Sequence, residues 1–344
     1  MKKERIHVKG KWVKVALMIV VGAFITSSCN RDSETFEGPD LNDLYGEFTV
    51  LQDFGVSSPS IDFSTGATVF FTAQFSRITD WTIRISHASN GSVKVITGRS
   101  RIIDATNATW DGSTTIFPVF DVGSCSAELF VDADSSTHQA SVTVRGTLKP
   151  NGSVISDFES AIDPKWNLFV QSGANMSFRT EDKITAPVGS KYFDMGGEVN
   201  WDWLIGLFDV PATAMGSNGF DLTSNPDDLY FNVVLNRPDS LPNGFVLFRF
   251  SEDENGDGNF NESSEDQYAV EIRDFDPGWN IVSIKYSDLQ FLMNGVPTDP
   301  NGNGVKNPDK LHTVSCLFLA DPNSGYAQVL MDYMVFTTGG PLKL

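Results

Sequence analysis

Residues 69–75 read Val69-Phe70-Phe71-Thr72-Ala73-Gln74-Phe75. Val, Phe, Ala and Phe hold the odd positions, and Thr72 and Gln74 lie opposite them, which is the period of two that buries one face of a β-strand. Short segments of the same kind lie on either side, at 48–54, 68–75, 81–86, 92–96, 115–120, 127–131 and 140–147, with turn residues between them. Seven short strands in about 100 residues predict a β-sandwich. No long segment carries a convincing helical period, so the expected fold class is all-β.

Working outward, Lys149-Pro150-Asn151-Gly152 is a linker by composition, and a second series of strands begins at Val154. Apolar strand material recurs at 192–195, 203–208, 229–235, 245–250, 268–272, 279–284, 314–319 and 327–336. A count of that size with long loops fits a larger antiparallel sandwich of the jelly-roll kind. A length of 344 residues suits two domains, placed at 45–149 and 153–344. With 40% hydrophobic and 12% aromatic residues both can have real cores, and disorder, collagen and coiled coil are excluded.

The formal net charge is −19, from 25 Lys and Arg against 44 Asp and Glu. A chain so acidic lacks the basic surface that binding a polyanion by counterion release requires, so nucleic acid is not an expected partner. Four His and three Cys leave little for a zinc site, a disulfide scaffold or a histidine-based hydrolase. Cys125 and Cys316 fall in separate domains and are expected as buried small hydrophobes.

Lys2, Lys3, Arg5, Lys9, Lys11 and Lys14 precede an apolar run at 15–25, the n-region and h-region of an export signal. Eleven helical residues rise only about 16 Å, short of the ~30 Å hydrocarbon core, so this is no stable span. Ile25-Thr26-Ser27-Ser28-Cys29 resembles a bacterial lipobox, which implies a signal peptide at 1–28, acylation of Cys29 and a membrane contact through that lipid. Removal of 1–28 leaves a net charge of −24, and a body so charged is repelled from an anionic membrane to which only its lipid ties it. Residues 29–44 are polar, contain Gly38-Pro39 and read as a flexible tether. Asp32, Glu34 and Glu37 loosely resemble the export tag of surface lipoproteins in Gram-negative glycan-degrading bacteria, which implies the outer membrane and its cell-surface side, with the periplasmic side as the other option.

Ala108-Thr109-Trp110-Asp111-Gly112 resembles the Thr-Trp-Asp-Gly turn of Ig-like modules in secreted bacterial proteins, with Trp110 expected to close one end of the core. In the second domain Ser156-Asp157-Phe158-Glu159, Lys191-Tyr192-Phe193-Asp194, Trp279-Asn280-Ile281-Val282 and Met331-Asp332-Tyr333-Met334-Val335-Phe336 resemble, in that order, the landmarks of galactose-binding-like, carbohydrate-binding jelly rolls. The resemblance implies a structural calcium ion shared by Glu159 and Asp332.

Asp253-Glu254-Asn255-Gly256-Asp257-Gly258-Asn259 places oxygen ligands at positions 1, 3, 5 and 7 of a loop with Gly at 6, the spacing of a calcium loop. Position 12 is Ser264 and the flanks read as strands, so the expectation is a calcium-clamped hairpin loop through Asp253, Asn255, Asp257 and Asn259. Asp299-Pro300-Asn301-Gly302-Asn303-Gly304 repeats the spacing with fewer charges and reads as a plain turn.

Sugar rings are held by flat aromatic faces and planar polar groups. Trp201, Trp203 and Trp279 are the candidate ligand contacts, with Trp166 a further platform, although tryptophans packed in a core give the same pattern. The chain contains no Gly-x-Ser-x-Gly, His-Glu-x-x-His, phosphate-binding glycine loop or Cys-x-x-Cys. A glycosidase needs only two carboxylates about 5 to 10 Å apart, which so acidic a chain can supply, but the size of the second sandwich points to a binding module and not an enzyme. As a whole the chain resembles the accessory glycan-binding lipoproteins of starch-utilisation-like systems. That implies non-catalytic binding of a polysaccharide or oligosaccharide near other surface uptake proteins. The alternative is a protein-binding or structural surface lipoprotein with no sugar site.

Overall fold

The computed structural model describes residues 46–149, 152–199, 203–216, 219–241, 243–293, 295–320 and 325–344. The signal segment 1–28, Cys29, the tether 29–44 and Trp201 lie outside the described residues, as does the side chain of Trp203. Among the described residues no helix is long and apolar enough to cross a membrane. Strands account for almost all the regular structure, and Val50–Leu344 forms one compact unit.

β1 (Val50–Val56), β2 (Ser60–Asp62), β3 (Val69–His87), β4 (Val93–Ile103), β5 (Thr109–Trp110), β6 (Gly123–Val131) and β7 (Ser136–Gly146) form one seven-stranded sheet. Its order is β1-β3-β6-β7-β2, with β4 and β5 also on β3. The start of β3 pairs with β1, and its later part lies between β4 and β6. A strand that changes partners along its length lets one sheet fold over its own core.

The stretch that opened the sequence reading belongs to this strand, with Val69, Phe71, Ala73 and Phe75 all buried. Expected strands at 68–75 and 81–86 are one element of 19 residues. Arg77 on the buried parity and Ile78, exposed, on the other interrupt the pattern in sequence while the backbone runs on. The expected strand at 115–120 is irregular instead. Pro118 has no N–H for a ladder, and the flanking amides of Ile116 and Val119 are taken by Val93 O (2.9 Å) and Pro187 O (2.9 Å). Trp110 is fully buried against Phe63 and Phe120, and its Nε1 donates to Ser113 O at 2.9 Å. Asp111 accepts from the Ser113 amide, and a Cβ on Gly112 (φ +93°) would strike the Phe63 ring, so this turn requires its glycine.

The second sandwich has two sheets. β8 (Ser153–Ser156), β9 (Asn167–Val170), β10 (Asn175–Glu181), β11 (Tyr192–Val199), β12 (Trp203–Pro211), β13 (Leu229–Arg237) and β14 (Gly244–Glu252) come first in the chain. β15 (Gln267–Ile272), β16 (Gly278–Lys285), a small hairpin of β17 (Leu292–Met293) and β18 (Val296–Pro297), β19 (Leu311–Ala320) and β20 (Gly325–Thr338) follow. One sheet runs β10-β11-β20-β13-β16, with β8 also on β20, and the other β15-β14-β19-β12-β9. All eight expected strand regions are strands, and the strands not expected from sequence are β9 and β10, which lie at sheet edges and bury little, and the short β17–β18 hairpin.

Between the sheets lies a phenylalanine-rich core that includes Phe193, Phe208, Phe231, Phe248 and Phe336. Cys125 and Cys316 are both free and buried, and burial pushes the Cys125 thiol up to about 11. Part of the outer face of the β20 sheet is covered, with Val234, Tyr333 and Val335 packing under Leu342 and Leu344 and against Phe117 and Val119 of the first sandwich, while Tyr326 at the start of β20 stays exposed.

Candidate functional site

The outer face of the β14 sheet can be read row by row, because residues paired across antiparallel strands share a face. One row runs Ala269, Arg249, Ser315, Asp209, Asn167 across β15, β14, β19, β12 and β9. The next runs Glu271, Leu247, Leu317, Leu207, Phe169. A polar row thus lies beside an apolar one for the width of five strands, about 19 Å at the usual strand spacing. Phe169 closes the apolar row with 42% of its surface exposed.

Residues 291–301 rise over one side of this face, where Phe291, Leu292, Met293, Thr298, Asp299 and Asn301 line a cleft with Leu247, Arg249, Glu262, Gln267 and Leu317. Arg249 is its central group. Its Nε is buried without a hydrogen-bond partner among the described residues, burial holds the guanidinium below its usual range, and Asp209 and Glu262 are the nearby counter-charges. Its neighbours are already engaged. Asn167 Nδ2 donates to Asp209 Oδ2 at 2.9 Å and Gln267 Nε2 to Ser251 Oγ at 2.8 Å. A buried Nε–H without an acceptor is costly, and it marks Arg249 as the polar group of this cleft least served by its surroundings.

The tryptophans named from sequence lie elsewhere or are undescribed. Trp279 packs edge-on against Tyr192 beside the covered face of the other sheet, and its Nε1 donates to Thr185 O at 3.0 Å. Trp203 pairs with Ala320 in the backbone register, and Trp166 stacks on Phe208. The structure adds Arg249 as a cleft residue and Asp209, Asn167 and Phe169 as residues of the same sheet face. Alternation in 245–250 puts Arg249 on one face with Phe245 and Leu247, the one signal of this site in sequence.

The two expected cation sites differ. In the 253–259 loop the Asp253 carboxylate accepts from the amides of Gly256 (2.7 Å), Asp257 (3.2 Å) and Gly258 (2.7 Å). Asn255 accepts from the Asp257 amide, and Asp257 from that of Asn259. Buried Glu265 accepts from the amides of Asn255 and Asn261. The turn at 299–304 docks here too, with Gly302 and Gly304 donating to the buried Asp266 at 2.6 and 2.7 Å. The loop's acids therefore have donors from their own backbone. Among the described residues no three His, Cys, Asp or Glu side chains gather as a metal cage.

Asp332 is fully buried, and its Oδ1 has no partner among the described residues. Its Oδ2 accepts from the Val188 amide at 3.0 Å. Burial pushes this carboxyl up to about 8 despite that bond, and Glu159 and Asp157 push it further. Burial also raises Glu159, but the Lys191 amide and the amide and hydroxyl of Ser190 outweigh it and hold that carboxyl low. A bulge positions the group. Met331 and Met334 both face the core, so the parity of β20 flips between them, and Tyr333 takes φ +48°. Phe158, next to Glu159, has φ +54°. Such backbone is costly for a non-glycine residue and here occurs beside both carboxylates. Among the described residues no three acids gather here, so a hard cation at Asp332 and Glu159 would need backbone oxygens or water for the rest of its shell.

No family model and no curated protein matches this chain. Solved structures similar to it include a family 11 carbohydrate-binding module from Clostridium thermocellum in complex with a β-1,3-1,4-mixed-linked tetrasaccharide, at 13% identity over 55% of this chain and 96% of that one, with a TM-score of 0.37. A second is SGBP-B from a complex xyloglucan utilization locus in Bacteroides uniformis, at 16% identity over 83% of this chain and 73% of that one, with a TM-score of 0.34.

Proposed function

We propose that the protein binds a carbohydrate chain along the outer face of the β14 sheet, without catalysis. The carrying observation is Arg249, a guanidinium with a buried and unpartnered Nε in an open cleft, placed in a polar row beside an apolar one. Hydroxyls would meet Arg249, Ser315, Asp209 and Asn167, and the C–H faces of the rings would lie on Leu207, Leu317 and Phe169. A five-strand row suits an extended chain more than a single sugar. On this face Leu247, Ser315 and Leu317 are buried, and the accessible end is formed by Leu207, Asp209, Asn167 and Phe169. Cys29 would carry the lipid and tie the body to the cell envelope, where binding raises the local concentration of glycan for neighbouring uptake proteins.

Calcium enters this reading as a structural ion at Asp332 and Glu159, its remaining ligands being backbone oxygens or water. It supplies positive charge where burial otherwise forces Asp332 to hold a proton.

The test is affinity electrophoresis of the signal-free protein against a panel of polysaccharides, followed by titration of Arg249→Ala with whichever glycan retards it. Loss of one charge-assisted donor should weaken binding roughly 10- to 100-fold. A folded protein retarded by no glycan, or an Arg249→Ala variant of unchanged affinity, would refute the assignment and favour a protein partner.

A further inference from the structure

The two rows of the β14 face are unequally accessible along their length. On β9 Asn167 and Phe169 are exposed, and on β12 Leu207 and Asp209 are half-buried. Farther along, Ser315 and Leu317 on β19 and Leu247 on β14 are buried. The β17–β18 hairpin makes the difference. Its Leu292 packs on the cluster that holds Leu247 and Leu317, where the apolar row would otherwise continue in the open. Met293 and Val296, paired across the hairpin, are exposed by 52% and 64%, so one side of the hairpin lies on the sheet and the other in solvent. The cleft left between hairpin and sheet has a volume of about 120 Å³, against roughly 300 Å³ or more for a cleft that encloses a whole small ligand. It takes one end of a chain and gives the chain no way through.

The hairpin is also fixed at both ends. Before it, Gln290 exchanges two backbone hydrogen bonds with Ala269 on β15, at 2.7 and 3.2 Å, and Phe291 packs on Tyr268 with ring centroids 4.4 Å apart. After it, Asn301 Nδ2 donates to Glu262 O at 2.8 Å and the Gly302 amide to buried Asp266 at 2.6 Å. Chain pinned on both sides to other elements acts as a wall and not as a lid.

We infer that this site is blind at the hairpin, so that the protein takes the terminus of a glycan chain and not its interior. This rests on the carbohydrate reading above and adds the class of ligand to it. A chain enters over Phe169 and Asn167, crosses Leu207 and Asp209, and stops against Leu292. A ring in mid-chain must continue in both directions, and the next ring beyond Leu207 would have to lift Leu292 off Leu247 and Leu317. Exposing a leucine that way weakens binding roughly 10- to 100-fold. A terminal ring carries a hydroxyl where an interior ring carries a linkage, and Arg249, Thr298 and Asp299 line the cleft as partners for it.

Stoichiometry tests this on the whole signal-free protein. The probes are linear α-glucan, β-glucan, xylan and mannan, each titrated calorimetrically as a polysaccharide and as its tetrasaccharide. A blind site should load one protein per chain whatever the chain length, so equal masses of tetrasaccharide and polysaccharide should bind in proportion to their number of ends. A variant with Leu292–Pro297 replaced by two glycines should load several copies on one polysaccharide chain, and Leu292→Ala should move the same way. If several wild-type molecules load on one chain with the affinity they show for the tetrasaccharide, the blind end is refuted and the carbohydrate reading stands. If the folded protein binds none of the probes in either form, both fall. The wild-type titration decides between these outcomes even if a variant fails to fold.

Discussion

Two groups of carboxylates in the second sandwich are alike in composition and unlike in surroundings. In the 253–266 region Asp253, Glu265 and Asp266 accept backbone amides from their own loop or from the 302–304 turn, so the acids act as caps for irregular chain. Beside the 187–191 turn, Asp332 has one oxygen on the Val188 amide and one with no hydrogen-bond partner among the described residues. Acidic residues spaced for a cation do not by themselves need one, because the amides of a tight loop stabilise the same charge. A buried oxygen with no donor does need something, either a proton or a metal.

The largest expected effect sets the two regions against each other. Calcium at about 1,000 times its Kd adds about 4 kcal/mol to a protein with one site. That increment, read from melting curves with and without chelator, should vanish in Asp332→Asn and persist in Asp257→Ala. The reverse pattern would move the ion to the loop.

The next effect is a pH dependence. Glu252 is fully buried, with its Oε1 bonded to the Tyr286 hydroxyl and the Asn307 amide, and burial pushes its carboxyl up to about 7. A carboxyl raised in the folded state holds its proton longer there than in the unfolded chain. Its stabilising contribution is therefore complete below about 4.5 and is lost as pH rises through about 7, a change on the order of 3 kcal/mol. Asp332 adds a loss of the same sign as pH rises through about 8. Urea midpoints between pH 5 and 8 should fall in chelator, Glu252→Gln should flatten one part of the slope, and calcium the other. A slope untouched by calcium would count against Asp332 as its ligand.

Smaller again is Gly302→Ala. Its Cβ would lie 2.2 Å from Glu254 Oε2 and 2.9 Å from Asp266 Cγ, so the turn must back away from its carboxylates, at about 1–3 kcal/mol in chemical denaturation. The smallest is Asp257→Ala, which removes an exposed acceptor from the Asn259 amide and should cost about 1 kcal/mol or less in the same assay. A larger loss, found only in the presence of calcium, would reopen the loop as a metal site.

Much of the fold was legible because strand alternation is local. Residues 69–75, the Trp110 turn and all eight strand regions of the second sandwich could be read where they stand. Errors fell where the local pattern conflicts with its surroundings. Arg77 is a charged residue on the buried parity of β3 and Ile78 an apolar one on the exposed parity, and Ile116 and Val119 have strand-like side chains but amides engaged elsewhere. The site was less legible. A scan for aromatic platforms picks out Trp279, which packs beside the covered part of the β20 sheet, and passes over Phe169 on an edge strand of weak pattern.

By itself the sequence determined the fold class, the acidic character and the glycine of the Trp110 turn, and it raises the expectation of an export signal and a lipid at Cys29. These rest on neighbours in the chain or on composition. Only the tertiary structure decided that Arg249, Ser315, Asp209 and Asn167 share a row, that the first sandwich packs on part of the β20 sheet, and that Asp332 has a donor for one oxygen only among the described residues while Asp253 has three. Strand register and burial set those properties, and both arise from contacts between residues far apart in the chain.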